Sequence, residues 1–444
     1  FFSSRRRHTR YISVTGVQTC ALPISIALAV FAAIVVTGVR ERSDEQSFAP
    51  TQTVDSAEQI ARGRYLALAG NCAGCHTARG GAPYAGGRAV ATPFGNVYAS
   101  NLTPDAPTGI GNWSADDFWR ALHLGKSKNG KLLYPAFPYP NYTRVTRADS
   151  DALFAYLRTL APVNQANREH DLRFPYNNRW LLVGWRTLYF SPGVYRNDAQ
   201  HDDEWNRGAY LVQGLGHCNA CHTGRDVLGG SNLKADLAGG MIPMLNWYAP
   251  SLTSDLEAGL GDWQVGHIVE LMKTGTGRRG AVYGPMAEVV YKSMQHLTGA
   301  DAKAIAVYLK SLPQTHPPSD GGGTSFDQAE IERTMIAGAH LYEKHCADCH
   351  GKNGAGQPPA YPPLAGNRSL TMRPAVNSIR MALNGGFAPG TAGNPRPYGM
   401  PPFRPLFTDE EIAAVVSYVR NSWGNKAGYV SPVEVDRFRS APLD

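Results

Sequence analysis

The sequence predicts a mainly α-helical protein built from three similar units in tandem. One short motif, two cysteines three positions apart followed directly by a histidine, occurs three times in the 444 residues. Each copy follows a glycine-bearing segment and precedes, further along, a segment with the apolar periodicity of a helix. No long alternating pattern typical of strands is present. The three motifs are Cys72–His76, Cys218–His222 and Cys346–His350.

The spacing within the motif is that of covalent haem attachment. Two cysteines on one helical turn can each form a thioether bond to one porphyrin, and the adjacent histidine can reach the iron as proximal ligand. The motifs therefore predict three haem c groups. The expected thioether cysteines are Cys72, Cys75, Cys218, Cys221, Cys346 and Cys349, and the expected iron ligands are His76, His222 and His350. A zinc site or a redox cysteine pair is the alternative, but it leaves all three histidines unexplained.

Composition and charge limit the classes of protein to which the sequence can belong. Six of the seven cysteines lie in the motifs and only Cys20 is left over, so no disulfide framework is expected. The formal charge is +7, but residues 1–25 contribute four arginines and no acidic residue, which leaves +3 for the rest of the chain. This mild balance gives no argument for a nucleic-acid partner.

The first 50 residues differ from the rest of the chain. Residues 1–25 resemble the translated adapter read-through of environmental sequence assemblies, so we expect a non-native artefact; a basic leader region is the alternative. Residues 26–50 contain the apolar run 26–39, interrupted by Thr37, and are expected to form a signal or anchor segment with a stalk. No convincing cleavage site follows, which favours an uncleaved anchor. We therefore expect export to the periplasmic face of the bacterial inner membrane.

Each unit is expected to begin with a helix that leads into its motif and to end with an apolar-periodic helix. A glycine on the first helix allows close approach of the last helix. These glycines are Gly63, Gly208 and Gly338. Each last helix is preceded by a threonine with an acidic residue three positions later, a pairing that can cap the free amides. The pairs are Thr146 with Asp149, Thr298 with Asp301, and Thr408 with Glu411.

These repeats define the expected domain boundaries. The first, second and third units are placed at residues 51–165, 204–315 and 329–425. A connector at 166–203 joins the first two units, and a proline- and glycine-rich linker at 316–328 precedes the third. A polar tail follows at 426–444.

Two crossing helices with loops folded over a haem resemble the class I cytochrome c fold. The resemblance implies that a loop leucine packs on the porphyrin and that a loop carbonyl accepts a hydrogen bond from the proximal histidine, which fixes its orientation. Ordinary core packing is the alternative role for the leucines. The matching loops contain Ser100 and Leu102, Pro250 and Leu252, and Pro362 and Leu364.

The resemblance also implies a methionine as sixth iron ligand from a loop between the two helices. A thioether sulfur opposite histidine raises the haem potential and closes the iron to small ligands. Met286 and Met400 occupy suitable loops, and Met286 lies 23 residues after Trp263. Methionine is commonly a core gap filler, so other methionines of the second unit are rival candidates. These are Met241, Met244 and Met294.

The first unit lacks this ligand. Phe137, 24 residues after Trp113, stands where the methionine is expected, and no methionine occurs between residues 51 and 240. Phenylalanine cannot bind iron, so the first haem has another sixth ligand or none. His123 is the foremost candidate, although its helix face is expected to meet water. Weaker options are Lys126, Lys128, Lys131 and Asn141.

The connector is unusually aromatic. Two interpretations remain open for it: a helix packed between two haem units, or a surface that faces a partner or the membrane interface, where tryptophan and tyrosine are enriched. The aromatic residues are Phe174, Tyr176, Trp180, Trp185, Tyr189, Phe190 and Tyr195.

From about residue 55 to 425 the chain resembles the three-haem cytochrome c subunits of bacterial membrane-bound alcohol, gluconate, fructose and aldehyde dehydrogenase complexes. The resemblance lies in residues 134–139, 173–180 and 205–211. It implies a non-catalytic subunit that takes electrons from a separate quinone-, flavin- or molybdopterin-dependent catalytic subunit and passes them through three haems to ubiquinone. In several members of this family a methionine stands where Phe137 is.

Two other functions stay open. A cytochrome could itself catalyse small-molecule redox chemistry at an open first haem, or the chain could be a freestanding electron shuttle. No cluster of acids and histidines in the sequence of the first unit favours catalysis, and no catalytic residue is predicted.

Overall fold

The computed structural model describes residue 32 and residues 56–255, 258–315 and 327–441. The expected artefact, nearly all of the expected signal or anchor segment and most of the linker lie outside these ranges. The described residues are mainly helical, with strands of two to four residues. None of the helices among them has the length and apolar character needed to span a bilayer.

In the first unit, the first and last helices frame the motif helix and a small sheet. The helices are Ala57–Ala69, Cys72–His76, Ala115–Leu124, Tyr139–Tyr142 and Arg147–Arg158. The strands Ala89–Thr92 and Gly95–Tyr98 pair antiparallel, with Ala89 opposite Tyr98. The connector adds the strand Asp171–Leu172 to this sheet, with Gly95 opposite Leu172.

The connector then forms the helix Leu181–Tyr189 before the second unit begins. The helices of the second unit are Asp203–Tyr210, Asn219–His222, Val265–Thr274, Pro285–Lys292 and Gly299–Ser311, with a π-helical turn at Leu211–Leu215 and 3-10 turns at Leu233–Ala235 and Met294–His296. Its antiparallel strand pairs are Gly240–Ile242 with Trp247–Ala249, and Thr276–Gly277 with Gly280–Ala281.

The third unit extends past the expected boundary at residue 425. Its helices are Gln328–His345, Ala347–His350, Arg368–Thr371, Val376–Asn384, Asp409–Arg420 and Pro432–Arg439, and the strands Gly386–Phe387 and Gly399–Met400 pair antiparallel. The helix Pro432–Arg439 lies in the segment expected to be a polar tail. Val430 and Val435 are fully buried, which holds this segment against the third unit.

The predicted close crossing of first and last helices is present three times. A Cβ atom added to Gly63 would lie 1.8 Å from the carbonyl oxygen of Ala152. A Cβ atom added to Gly208 would lie 2.0 Å from Ala304 O, and one added to Gly338 would lie 2.3 Å from Ala414 O. No larger side chain fits at these distances, so glycine sets the separation of each helix pair.

The predicted caps are also confirmed. The hydroxyls of Thr146, Thr298 and Thr408 accept hydrogen bonds from the amides of Asp149, Asp301 and Glu411. Thr408 and Glu411 complete a reciprocal capping box. Each cap satisfies an amide that the helix leaves free, which fixes where the last helix begins.

The first two units join through a reciprocal pair of contacts. Tyr65 of the first unit donates to Asp301 of the second at 2.5 Å, and the matching Tyr210 donates to Asp149 of the first at 2.6 Å. Each carboxylate also binds an arginine of its own unit, Arg62 or Arg207. These two units share one continuous buried core, whereas the third unit has a core of its own.

We expect Gly208→Ala to lower the free energy of unfolding by about 3 kcal/mol or more, because the added methyl group meets a backbone carbonyl that cannot move freely. Gly266→Ala is the matched control, since a Cβ at Gly266 meets no atom within 4 Å. That variant should be unchanged or stabilised by up to about 1 kcal/mol. Thermal unfolding followed by circular dichroism measures both, and equal stability would contradict the close crossing.

Candidate haem-binding sites

Each motif histidine is held by one backbone carbonyl. The Nδ1 atom lies 2.7 Å from Ser100 O in His76, 2.7 Å from Pro250 O in His222 and 3.0 Å from Pro362 O in His350. A carbonyl oxygen only accepts, so Nδ1 carries the proton and Nε2 is left with a free lone pair. The expected hydrogen bond from the matching loop is therefore present in all three units.

Burial keeps these imidazoles neutral. It lowers the pKa of His76 and His350 and brings that of His222 to about 4, even though the carbonyl bonds oppose the change. A neutral imidazole with a free Nε2 is the form that binds a metal. The protonation state of the three histidines thus fits iron ligation.

Burial keeps the first cysteine of each motif in the thiol form at neutral pH. Burial raises the pKa of Cys72 and Cys218 to about 12 and that of Cys346 to about 11. A zinc site needs thiolates and a closed set of four ligands. Within the described ranges, no group of three or more Cys, His, Asp or Glu side chains is placed to hold a metal ion. The alternative zinc reading gains no support from this geometry.

The second and third motifs open into one continuous cavity. Its wall is mostly apolar and includes the cysteines and histidine of both motifs. Leu252 and Leu364, the leucines of the two matching loops, also line it. A large apolar cavity with a histidine and two cysteines at each end fits two porphyrins, which need an apolar enclosure and few polar contacts.

The two predicted methionine ligands line this cavity. Met286 lies in the first turn of the helix Pro285–Lys292, and Met400 lies in the strand Gly399–Met400. Among the rival methionines, Met241 and Met244 are exposed and do not line the cavity, whereas Met294 does. Ligation by Met286 and Met400 stays a prediction. Of the three rivals Met294 remains, and Met272 of the same unit also lines the cavity.

Around the first motif the expected ligand position is filled by aromatic side chains. Phe137 packs against Tyr142, with ring centroids 5.3 Å apart. Burial, together with the neighbouring Cys72 and Cys75, raises the pKa of Tyr142 well above its ordinary value. Phe137 has no atom that can bind iron, so the first site differs chemically from the other two.

His123 does not face water, and the expectation that it does was wrong. It is 1% exposed, its Nδ1 donates to Thr143 O at 3.0 Å, and its ring stacks on Trp119 with centroids 4.4 Å apart. The connector covers this region, because the Gly193 amide donates to the Thr143 hydroxyl. These contacts favour a packing role for His123, and its iron ligation stays an untested prediction.

An ion pair links the first motif to the helix that carries Met286. Arg88 donates to the carbonyl of Gly74, inside the first motif, and to both carboxylate oxygens of Glu288. Lys292 donates to Glu288 at 2.6 Å. Burial raises the pKa of Glu288, but the bonds from Arg88 and Lys292 outweigh it and bring that pKa to about 2. The carboxylate therefore stays charged and ties the first site to the second.

An arginine of the third unit reaches into the second site. Arg368 lines the shared cavity, donates to Ser251 O at 3.1 Å and stacks its guanidinium 5.0 Å from the ring centre of Trp263. Burial lowers its pKa to about 10, so it remains a cation at neutral pH. The neighbouring Pro250 carbonyl holds His222, which places this charge beside the second motif.

Sequence reasoning missed Arg88, Glu288 and Arg368. Glu288 lies 200 residues from Arg88, and Arg368 lies 117 residues from its acceptor Ser251. No local pattern marks such pairs. The one available signal was position, since Glu288 follows Met286 by two residues and Arg368 follows Leu364 by four.

The fold and these sites define a cytochrome c. The cytochrome c family model matches residues 60–161 and 335–423. A cytochrome c carries covalently bound haem, which accounts for the paired cysteines and the oriented histidines.

Curated relatives identify the particular family. The gluconate 2-dehydrogenase cytochrome c subunit of Pantoea cypripedii is 40% identical over 83% of this chain and 86% of the relative. The cytochrome c subunit of a quinone-type alcohol dehydrogenase from Gluconobacter oxydans is 38% identical, covering 89% and 85%. The fructose dehydrogenase cytochrome subunit of Gluconobacter japonicus is 36% identical, covering 98% and 90%. The chain belongs to this family of dehydrogenase cytochrome c subunits, which supports electron transfer, covalent haem c and a dehydrogenase catalytic subunit as partner.

Met286→Ala and Met400→Ala should each lower one midpoint potential, because each removes a thioether that raises the haem potential. Each should also weaken the long-wavelength absorption band of methionine-ligated ferric haem. Spectroelectrochemical titration measures both effects. Met241→Ala, at an exposed position outside the cavity, is the control and should change neither. A full band in both test variants would show that other methionines bind the iron.

Arg368→Gln should lower the potential of one haem, because a nearby cation stabilises the form that has gained an electron. A buried unit charge near a haem contributes about 1–2 kcal/mol to the free energy of its reduction. Arg373→Gln, an exposed position outside the cavity, should leave all potentials unchanged. A redox titration of both variants checks the expectation, and unchanged potentials in Arg368→Gln would show that its charge is screened.

Proposed function

We propose that the chain is a three-haem electron-transfer subunit that relays electrons from a dehydrogenase catalytic subunit to ubiquinone at the periplasmic face of the bacterial inner membrane. The observation that carries the proposal is the threefold motif with its oriented histidine. His76, His222 and His350 each donate through Nδ1 to the loop carbonyl predicted for them. When bound, haem supplies one-electron chemistry by cycling between ferric and ferrous iron.

The proposal includes three class I cytochrome c-like domains, one around each motif. The family model covers parts of the first and third units. For the second unit, support comes from the same local construction: the Gly208 crossing, the Thr298 cap and the His222 carbonyl bond. Three units with the same crossing, cap and histidine contact are expected to hold the same group.

The sites are joined in a manner that suits a relay. The second and third motifs line one cavity, so the groups that they would hold share one enclosure. The first and second are joined by Arg88 and Glu288, and Tyr142 meets His217, the residue before the second motif, with ring centroids 5.5 Å apart. These contacts hold the sites at fixed separations, as electron transfer requires.

The electron donor and the electron acceptor of the relay are inferred from the family and from the apolar run of the sequence. Relatives named as gluconate, alcohol and fructose dehydrogenase cytochrome subunits support a catalytic subunit as electron donor. A quinone, flavin or molybdopterin cofactor in that subunit would fit equally well. The apolar run 26–39 of the sequence supports a membrane location, and with it ubiquinone as acceptor.

Phe137→Met tests the ligation of the first site. The variant supplies the missing thioether, so it should raise one midpoint potential and strengthen the methionine band by about half, two ligated haems becoming three. In the wild type, the first haem should have the lowest potential and should bind carbon monoxide or cyanide if no other side chain closes it. His123→Ala is the accompanying control, and it should leave the wild-type spectrum unchanged if His123 only packs. Three equivalent methionine signals in the wild type would refute the assignment of Phe137.

The relay itself is tested on the complex with its catalytic subunit. Substrate should reduce all three haems, and intact mass after haem extraction should retain three covalent groups. Ubiquinone reduction should require this chain, whereas reduction of an artificial dye should require only the catalytic subunit. A haem count of two or fewer, or quinone reduction by the catalytic subunit alone, would refute the proposal. A chain that accepts electrons without binding that subunit would instead be a freestanding shuttle.

A further inference from the structure

One side of the protein exposes a concentration of apolar side chains. We call it the aromatic face and define it by Phe174, Tyr176, Trp180, Leu181 and Leu188 of the connector with the loop 227–228. Phe174 is 86% exposed, Trp180 76% and Leu188 68%. Exposed patches of this kind on soluble domains mark interaction surfaces.

The two segments that form the face are in contact. The Trp185 indole nitrogen donates to Leu228 O at 3.1 Å, and the Tyr189 hydroxyl donates to Asp226 at 2.6 Å. Tyr176 packs on Phe94 with ring centroids 4.5 Å apart, and Phe94 lies beside Gly229. The exposed side chains therefore belong to one continuous surface.

The helix Leu181–Tyr189 is apolar on its outer side. Leu182 and Arg186 point inward and are 6% and 1% exposed, whereas Leu181 and Leu188 point outward. Arg186, the only charged residue of the helix, donates to Leu124 O at 2.7 Å and lies over the ring of Phe190. A surface helix normally places its charges outward. This helix buries its charge and exposes leucine, so its outer side requires an apolar neighbour.

The connector part of the face carries only basic side chains. Residues 172–190 contain three arginines and no acidic residue. Arg186 is buried, whereas Arg173 is exposed and Arg179 half-buried at the edge of the face. The nearby Asp226 already accepts from Tyr189. Tryptophan and tyrosine beside arginine suit the headgroup layer of a membrane, where the rings meet the acyl boundary and the cations meet lipid phosphates.

We propose that the aromatic face lies in the headgroup layer of an anionic phospholipid bilayer. This inference rests on the membrane location in the proposed function and names the surface that makes the contact. The helix has nine residues, too few to span and enough to lie flat in the interface. A protein partner is favoured less, because a protein surface that matched this face would need acidic side chains opposite its arginines.

The face also places one redox site next to the membrane. Arg179 donates to Leu132 O and stacks 4.7 Å from the ring centre of Tyr134, while Trp185 meets Tyr139 edge to face. Tyr134 and Tyr139 bracket Phe137 in the sequence. The bilayer would thus lie over the loop of the first site, which makes that site the one closest to a quinone dissolved in the membrane.

The experiment uses the complete complex bound to vesicles of phosphatidylcholine and phosphatidylglycerol that contain a photoactivatable phospholipid. Mass spectrometry maps the labelled peptides. Label is expected in residues 174–190 and 226–233, and it should be absent from the peptides that contain Ile336 and Val433, which are equally exposed elsewhere. Label confined to residues 26–39 would overturn the inference.

A pair of matched variants completes the test. The double variant Trp180→Ser and Leu188→Ser should lower vesicle binding about tenfold or more and lose the label, because it removes the two large apolar side chains that enter the bilayer. The double variant Ile336→Ser and Val433→Ser should keep the vesicle binding of the wild type and its lipid label on the aromatic face. Reduction of a water-soluble quinone analogue should be normal in all variants, and its loss in the wild type would count against the relay and not against the face. If the first double variant keeps vesicle binding but loses the catalytic subunit, the face is a subunit interface and the inference is wrong.

Discussion

The contact between a helix glycine and a backbone carbonyl is the constraint on which each unit depends. At Gly63, Gly208 and Gly338 the first helix approaches the last so closely that a Cβ would overlap a carbonyl oxygen. In each unit the motif follows within a few residues of the first helix. The crossing therefore fixes where the cysteines and the histidine point, and the loop carbonyl completes the orientation through Nδ1.

The same helices join the first two units. Asp149 and Asp301 each bind an arginine of their own unit and accept a tyrosine hydroxyl from the other unit. A carboxylate with so many partners can stay charged although it is buried. Burial raises the pKa of Asp301, but Arg207 and Tyr65 hold it below its usual range. Its stabilising contribution is therefore complete above that range and is lost as the pH falls through the lowered value.

Local features were predictable from the sequence, because they depend on residues close together along the chain. The caps at Thr146, Thr298 and Thr408 and the crossing glycines follow from helix chemistry alone. The burial of His123 was not predictable, because it depends on how the connector folds back and places Gly193 on Thr143. The packing of residues 430–439 on the third unit was missed for the same reason, since three valines and one phenylalanine in a polar segment are a weak signal.

The contacts between units determine the order of the proposed relay more directly than the potentials do. With no thioether ligand at Phe137 and a cation at Arg368, the first site is expected to have a low potential and the second a raised one. Potentials alone would leave the order open. Geometry is more restrictive, because the second motif shares a cavity with the third and is tied to the first through Arg88 and Glu288. The second site is thus adjacent to both others, which favours its placement between the first and the third in the proposed relay.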